Sequence, residues 1–494
     1  MKRNSLLLLL CCFYFGAFGA NVTVSNVALT GQDVNANTYQ VNFDISWEDS
    51  WRTNTFESNW DAVWIVVKYR QTPALEWQQA NVAEAGSVFP TGTTADFGGN
   101  VGFFLYRDAP GIGDVDFDNV SVRWEYGSVP DDQVLEVCVI ATEMVYIPEG
   151  AFEVGDGSSN AIGNFQAGNS GNPLTITSED ALTLGGTFTT SLGASNPSPS
   201  FPDDFSVSNT VVLPAEFPKG FQAFYIMKYE ASEQQYADFL NRLTPVQATN
   251  RFPDQFGSIG HGISNTGVPP EIYVTDTPTH ACNYLEWADV AAYADWIGLR
   301  PVSELEYEKA ARGTRDAVAD ECAWGTPFAA NYVYSLNFTG TENEIITNPA
   351  PGTGNALYLD TDQNFINQAL RCGIFAASAA DKTREETGGS YYGVMEMTGN
   401  LWEVVITVGD PEGRQMNGSF HGNGIISSGA GESTVLTWPP DSPGSGTYAD
   451  GTGVKGGSFN SSLQRCAVSF RDLVNLPIDS GFNDVGMRLG RTAP

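Results

Sequence analysis

Val454-Lys455-Gly456-Gly457-Ser458-Phe459, followed by Asn483-Asp484-Val485-Gly486-Met487-Arg488-Leu489-Gly490-Arg491, is the stretch on which the reading of this chain turns. It reads as short central strands with a loop between them. Gly456 and Gly457 permit backbone conformations closed to other residues, so the chain can turn sharply there. Two earlier stretches go with it: Met144-Val145-Tyr146-Ile147-Pro148-Glu149-Gly150, and Met395-Glu396-Met397-Thr398-Gly399-Asn400-Leu401-Trp402-Glu403.

At 494 residues the chain is too long for one ordinary core, so two domains or a large domain with an addition are expected. Apolar residues make up 42%, ample for a packed interior. Only 17% of residues are charged, yet the formal net charge is −34. So acidic a surface repels nucleic acid and anionic lipid and argues against both as partners. Residues 1–20 read as a secretory leader, with Lys2 and Arg3 as its basic start, an apolar run over 6–15 and Ala17-Phe18-Gly19-Ala20 as the cleavage region. That run is shorter than the roughly 20 residues of a membrane anchor, and no later run is long enough to span. A soluble, exported protein is expected, secreted or at the cell surface. Cys138, Cys282, Cys322, Cys372 and Cys466 follow the leader, an odd set with no Cys-x-x-Cys pair. One or two disulfides are compatible with export, but the spacing does not choose them.

Residues 21–142 read as an all-β sandwich. Positions 39–47 alternate apolar and polar, as in a strand with one wet face, and 62–69 form a nearly continuous apolar run, as in a strand buried on both faces. Further strands are expected at 22–29, 102–106, 120–126 and 135–141, separated by Gly, Pro, Asp and Asn clusters. A second domain, 143–494, follows almost without a linker. Within it, 156–209 is rich in Gly, Ser, Thr and Asn and reads as a long surface insertion with a hairpin near 174–184. Three helices are expected: one capped by Ser232 with Gln235, one over 287–297 ending at Gly298, and one capped by Ser303 with Glu306 and ending before Gly313.

These motifs together resemble the formylglycine-generating-enzyme (sulfatase-modifying factor) family. Its variant of the C-type lectin fold opens on Met-Val-Tyr-Ile-Pro-x-Gly, carries Gly-Asn-x-Trp-Glu in the middle and closes on Gly-Gly-Ser-Phe/Trp and Gly-Phe-Arg-Leu. The blocks at 236–241 and 294–313 match it as well, so the resemblance runs from about 144 to 491. It implies an α+β fold: a family-like domain behind an all-β sandwich.

The family's oxidases use two thiols after Gly-Gly-Ser to bind copper, because paired soft thiolates hold Cu(I). Counted from Ser458, those positions are Ser461 and Cys466. A hydroxyl cannot stand in for a Cu(I) thiolate, so copper is not expected. Cys466 is a catalytic candidate only if a second thiol, such as Cys372 or Cys282, comes in from elsewhere. His261, His280 and His421 show no ligand spacing and read as structural.

Calcium is the metal the resemblance implies, held by the Glu396 and Glu403 carboxylates and the Gly399 and Leu401 carbonyls. Six to eight hard oxygens are what Ca²⁺ takes, and a glycine turn between two carboxylates supplies several. Asn337 is the counterpart of a second-site ligand. Arg471 and Arg488 stand where relatives hold the closing loop by charge-assisted hydrogen bonds. Asn460, Ser461, Ser462 and Gln464 lie where the fold presents a tolerant ligand-binding face.

The preferred reading is an exported, bacterial-type, calcium-stabilised, non-catalytic binding or surface/structural protein. Its partner would be a protein or carbohydrate ligand, or another copy of itself. Two alternatives stand beside it: a formylglycine-type oxidoreductase with a rebuilt thiol site, and a variable lectin-fold receptor.

Overall fold

Alternation decides the first sheet. Thr23–Asp33 (β1) and Thr38–Arg52 (β2) pair antiparallel, and Val41, Phe43, Ile45 and Trp47 of β2 are almost wholly buried. A period of two puts these four side chains on one face. Asp61–Gln71 (β3) is buried at every position from Asp61 to Tyr69, because it lies in the middle of three layers. Asn81–Val88 (β4), Thr93–Phe97 (β5), Gly102–Arg107 (β6), Gly111–Glu125 (β7) and Leu135–Ile147 (β8) follow. This computed structural model describes residues 22–494 apart from 75, 254, 256, 270, 332, 360–365 and 444; the expected leader, 1–20, lies outside the described residues.

The C-terminal half is built from Phe224–Met227 (β9), Glu233–Leu240 (α1), Trp287–Trp296 (α2), Arg300–Pro301 (β10), Glu304–Arg312 (α3), Trp402–Ile406 (β11), Thr452–Lys455 (β12), Val485–Gly486 (β13) and Leu489–Thr492 (β14). Ser232 and Ser303 cap α1 and α3, each in a reciprocal capping box with Gln235 or Glu306, as the sequence predicts. A further capped helix, Pro245–Arg251 behind Thr244, was not anticipated. The α+β class is as expected.

The outer sheet has the order β1-β2-β7-β4, and the central sheet β10-β14-β9-β8-β3-β6-β5. β8 is the joint between the halves. It pairs with β3 from Leu135 to Val145 and with β9 from Met144 to Ile147. The expected boundary at 142/143 thus falls inside one strand, and the N-terminal sandwich shares its second sheet with the C-terminal half.

Alternation along β3 and β8 then feeds two cores. Val63, Ile65, Val67, Val137, Val139 and Ala141 pack toward the outer sheet. Trp64, Val66, Cys138 and Ile140 face the other way, into the core that includes Leu240, Tyr293 and Trp296 of α1 and α2. Each large apolar side chain so buried contributes about 2 kcal/mol. Lys68 shares that second face, and its ammonium donates to the carbonyls of Trp296 (2.6 Å) and Gly424 (2.8 Å).

The insertion at 156–209 departs from expectation in two ways. Leu174–Ile176 and Leu182–Leu184 form no hairpin: the first pairs with Phe152–Val154, the second with Val211–Leu213 and with Leu192. Much of the segment is also buried rather than superficial, including Asn164, Phe165 and Gln166. Arg471 explains this. Its guanidinium stacks 3.8 Å from the Phe165 ring and donates to the Gly163 carbonyl (2.8 Å) and the Asp203 carboxylate. Among the described residues, no helix is long and apolar enough to cross a membrane.

Candidate functional site

Strands β12, β11 and β13, in that order, form a small sheet that carries the closing motif. β12 delivers the chain to Gly456 and Gly457, at φ +94° and +75°. A Cβ on Gly457 would collide with the Cys466 sulfur, so the turn sits directly on that thiol. Ser458 Oγ donates to Asp484 Oδ2 at 2.7 Å. That commits its one proton, so the Ser461 hydroxyl, 3.0 Å away, donates to Ser458. Asn460 N–H also donates to Ser458 Oγ, at 3.2 Å. The result is a hydroxyl relay that ends on a half-buried carboxylate.

Of the four residues expected on a binding face, Asn460, Ser462 and Gln464 are exposed, while Ser461 points inward and is 3% exposed. The Gln464 amide donates to the Asn160 carbonyl at 2.6 Å, which ties this face to the insertion.

Cys466 is wholly buried. Burial pushes its thiol up to about 12, against the Ser458 and Gly399 N–H groups that favour the thiolate. The thiol that shares its apolar cluster is Cys322, with Trp324, Ala356 and Tyr358. Cys282 and Cys372, the partners suggested by sequence, lie in other clusters. Spacing could not have found Cys322. The segments meet only through the fold, where Val468 N–H donates to the Glu321 carbonyl at 2.8 Å. The five cysteines among the described residues are all free and buried.

The loop before β11 brings together three buried glutamates, not the two expected. Glu403 is held by Arg488, whose Nε and Nη2 donate to its Oε2 (2.9 Å) and Oε1 (2.7 Å). Glu396, at φ +53°, accepts from Gly373 N–H with one oxygen (3.0 Å), and its other oxygen has no hydrogen-bond partner. Glu230, just beyond β9, accepts from Leu401 N–H (2.9 Å) and the Asn400 amide (2.5 Å). Burial and the neighbouring Glu403 raise Glu230 well above the usual carboxylate range. Burial pushes Glu396 up to about 7, against the Gly373 bond and the Arg488 and Arg371 charges.

This geometry tests the calcium set. Glu396 offers one free buried oxygen, but both Glu403 oxygens are already engaged by a cation. Of the two carboxylates, Glu403 is therefore committed to Arg488 and Glu396 alone has a free oxygen. Asn337 lies apart and exposed on Leu336–Asn337, with its side-chain oxygen accepting from Phe338 N–H at 3.0 Å. The described residues contain no group of three His, Cys, Asp or Glu side chains arranged to hold a metal. The histidines are placed separately: His261 Nδ1 lies 3.1 Å from Asn283 Oδ1, His280 pairs with Glu344 at 3.0 Å, and His421 accepts from Thr492 N–H.

A family model described as a sulfatase-modifying factor enzyme 1-like domain matches residues 133–493, which include all of β8 and every later strand and helix named above. The chain belongs to this family. It is similar to a formylglycine-generating enzyme of Thermomonospora curvata, 26% identical over 204 residues. That alignment covers 36% of this chain and 58% of the relative. Within the sulfatase-modifying factor fold, this member places a serine hydroxyl, at Ser461, five residues before a buried cysteine thiol at Cys466.

Proposed function

We propose that this protein is an exported, non-catalytic binding or surface protein that retains the sulfatase-modifying factor scaffold without its oxidative chemistry. The observation that carries this reading is Ser461. Its hydroxyl is spent in the relay to Ser458 and Asp484, and a neutral hydroxyl does not ligate Cu(I). Ser461 and Cys466 therefore do not make a bis-thiolate copper centre. The exposed Asn460, Ser462 and Gln464 leave a small polar face for a protein or carbohydrate ligand, and the edge strand β1 offers a second route, self-association by strand pairing. The test is a gain of function. Ser461→Cys should bind Cu(I) with Cys466, whereas the wild type should not; equal copper binding by both would end the reading.

A second reading, an oxidoreductase with a rebuilt thiol pair, is supported by Cys322 in the Cys466 cluster. It predicts that Cys322→Ser and Cys466→Ser each abolish oxidation of a cysteine-containing peptide. Absence of any such oxidation by the wild type would remove it.

A further inference from the structure

We propose that a cavity of about 150 Å³ beside the end of β14 binds a primary alkylammonium group, from a free amine or from a lysine side chain of a partner protein. The cavity opens where the segment before β9 meets β10, the start of α3 and Thr492 of β14. It shares no lining residue with the closing turn at Gly456 to Cys466. Glu216, Gln222 and Ser419 are exposed at its mouth, while Phe217, Pro218, Phe224, Arg300 and Glu306 are buried and close it off. Cavities for drug-sized ligands run from about 300 Å³ upward, so this one takes a group the size of a single side chain.

The chemistry of the lining disfavours an anion and suits a cation. Arg300 is spent: its N–H groups go to both Glu306 oxygens (2.8 and 2.6 Å), the Pro301 carbonyl (3.0 Å) and the Thr492 hydroxyl. That hydroxyl in turn donates to the Gly418 carbonyl at 2.7 Å. The neighbouring Lys219 ammonium does not line the cavity; it is given to the carbonyls of Pro214 (2.7 Å), Phe217 (3.0 Å) and Glu179 (3.1 Å). Carboxylate oxygens are what is left. Glu179 is oriented by the N–H groups of Lys219 (2.7 Å) and Gln222 (3.0 Å), one on each oxygen, and each oxygen keeps a further lone pair. Glu216 adds a second carboxylate at the mouth. The lining thus holds three carboxylates against one guanidinium, and the balance stays negative when Lys219 is counted. An ammonium brings three donors and no acceptor, and its alkyl stem is matched by Phe217, Pro218 and Phe224. The net charge of −34 draws such a cation toward the chain.

The test is calorimetric titration of the protein at low salt with Nα-acetyl-lysine methylamide. Binding should saturate at one site per chain, weaken as NaCl is added, and vanish when the probe's amine is acetylated. Glu216→Gln, at an exposed position, should leave Tm unchanged and weaken binding roughly tenfold or more, as the loss of one charge-assisted hydrogen bond does. Ser419→Phe, which fills the mouth, should weaken it as well. Both variants keep the rest of the acidic surface. Binding that is equal in the wild type and both variants would therefore show attraction to the surface at large and overturn the proposal. So would a wild type that binds neither this probe, nor cadaverine, nor a lysine-containing peptide. The last two probes name the source: a tighter peptide assigns the lysine of a partner protein, and tighter cadaverine a free amine.

Discussion

Lys228 and Glu143 form an ion pair of 2.5 Å that is 3% and 2% exposed, and the ammonium also lies 4.8 Å from the Trp51 ring. Glu143 belongs to β8, Lys228 follows β9 and Trp51 comes from β2, so one buried cation clasps both halves. Burial is the largest influence on Lys228 and opposes its charge, but Glu143, Tyr229 and Asp61 together more than offset it and hold the amine above its usual range. Removing one partner leaves the other charge buried and alone. Lys228→Met should therefore cost about 3–5 kcal/mol in urea unfolding, and Lys228→Met with Glu143→Leu less than the single change. A double variant whose loss equals the sum of the Lys228→Met and Glu143→Leu losses would show that the pair is not coupled.

The shared strand makes the two halves inseparable. A fragment beginning at residue 143 keeps Met144 to Ile147, which pair with β9, but loses most of β8 and all of β3. It would expose the face of α1 and α2 that now covers Trp64 and Ile140. The expected outcome is an aggregated fragment without cooperative unfolding by circular dichroism, whereas 22–494 unfolds cooperatively. A stable, soluble 143–494 fragment would contradict the joint role of β8.

Arg471 pins the insertion. It gives two bonds to Glu304 (2.5 and 3.1 Å) and two to Asp203 (3.1 and 3.0 Å), with the Gly163 carbonyl in addition. Arg471→Met keeps much of the stacking on Phe165 and strands two carboxylates. It should destabilise by about 3–5 kcal/mol, and limited proteolysis should then cut within 156–209 before it cuts elsewhere. Unchanged cleavage kinetics would place the anchoring of the insertion elsewhere.

Glu396 sets a pH dependence whose sign is fixed. Its folded value of about 7 exceeds the ordinary value of 4.5, so the folded state holds the proton more tightly. The contribution is fully present below the unfolded value and is lost as pH rises through about 7, for a total of about 3 kcal/mol. Glu396→Gln mimics the protonated form. It should leave Tm unchanged near pH 5, raise it near pH 8 and flatten the pH profile between them. A variant less stable than the wild type near pH 8 would mean that the carboxylate form is the one the fold prefers.

How much was legible depended on whether the signal was local. The capping boxes at Ser232 and Ser303 are four-residue patterns, and both formed as read. The alternation in β2 and the apolar run in β3 likewise reported their own burial. The sharing of β8 between two sheets was not legible, because a strand buried on both faces has the same sequence whichever partners flank it. Leu174–Ile176 and Leu182–Leu184 resemble a hairpin locally and are separated by their distant partners, Phe152–Val154 and Val211–Leu213. At the site, Glu396, Glu403 and Arg488 were legible as residues but not as a set. Glu230 lies 166 positions before Glu396 and enters only once β9 is placed beside β8. Cys322 is hidden for the same reason.

The most direct test of the central claim, that the scaffold is kept without the oxidase, is the copper content and peptide-oxidising activity of the protein after loading with Cu(I). The account predicts no retained copper and no aldehyde formed from a cysteine-containing peptide, with both properties changing in Ser461→Cys. Stoichiometric copper in the wild type that disappears in Cys466→Ala, together with oxidation of the peptide, would contradict it.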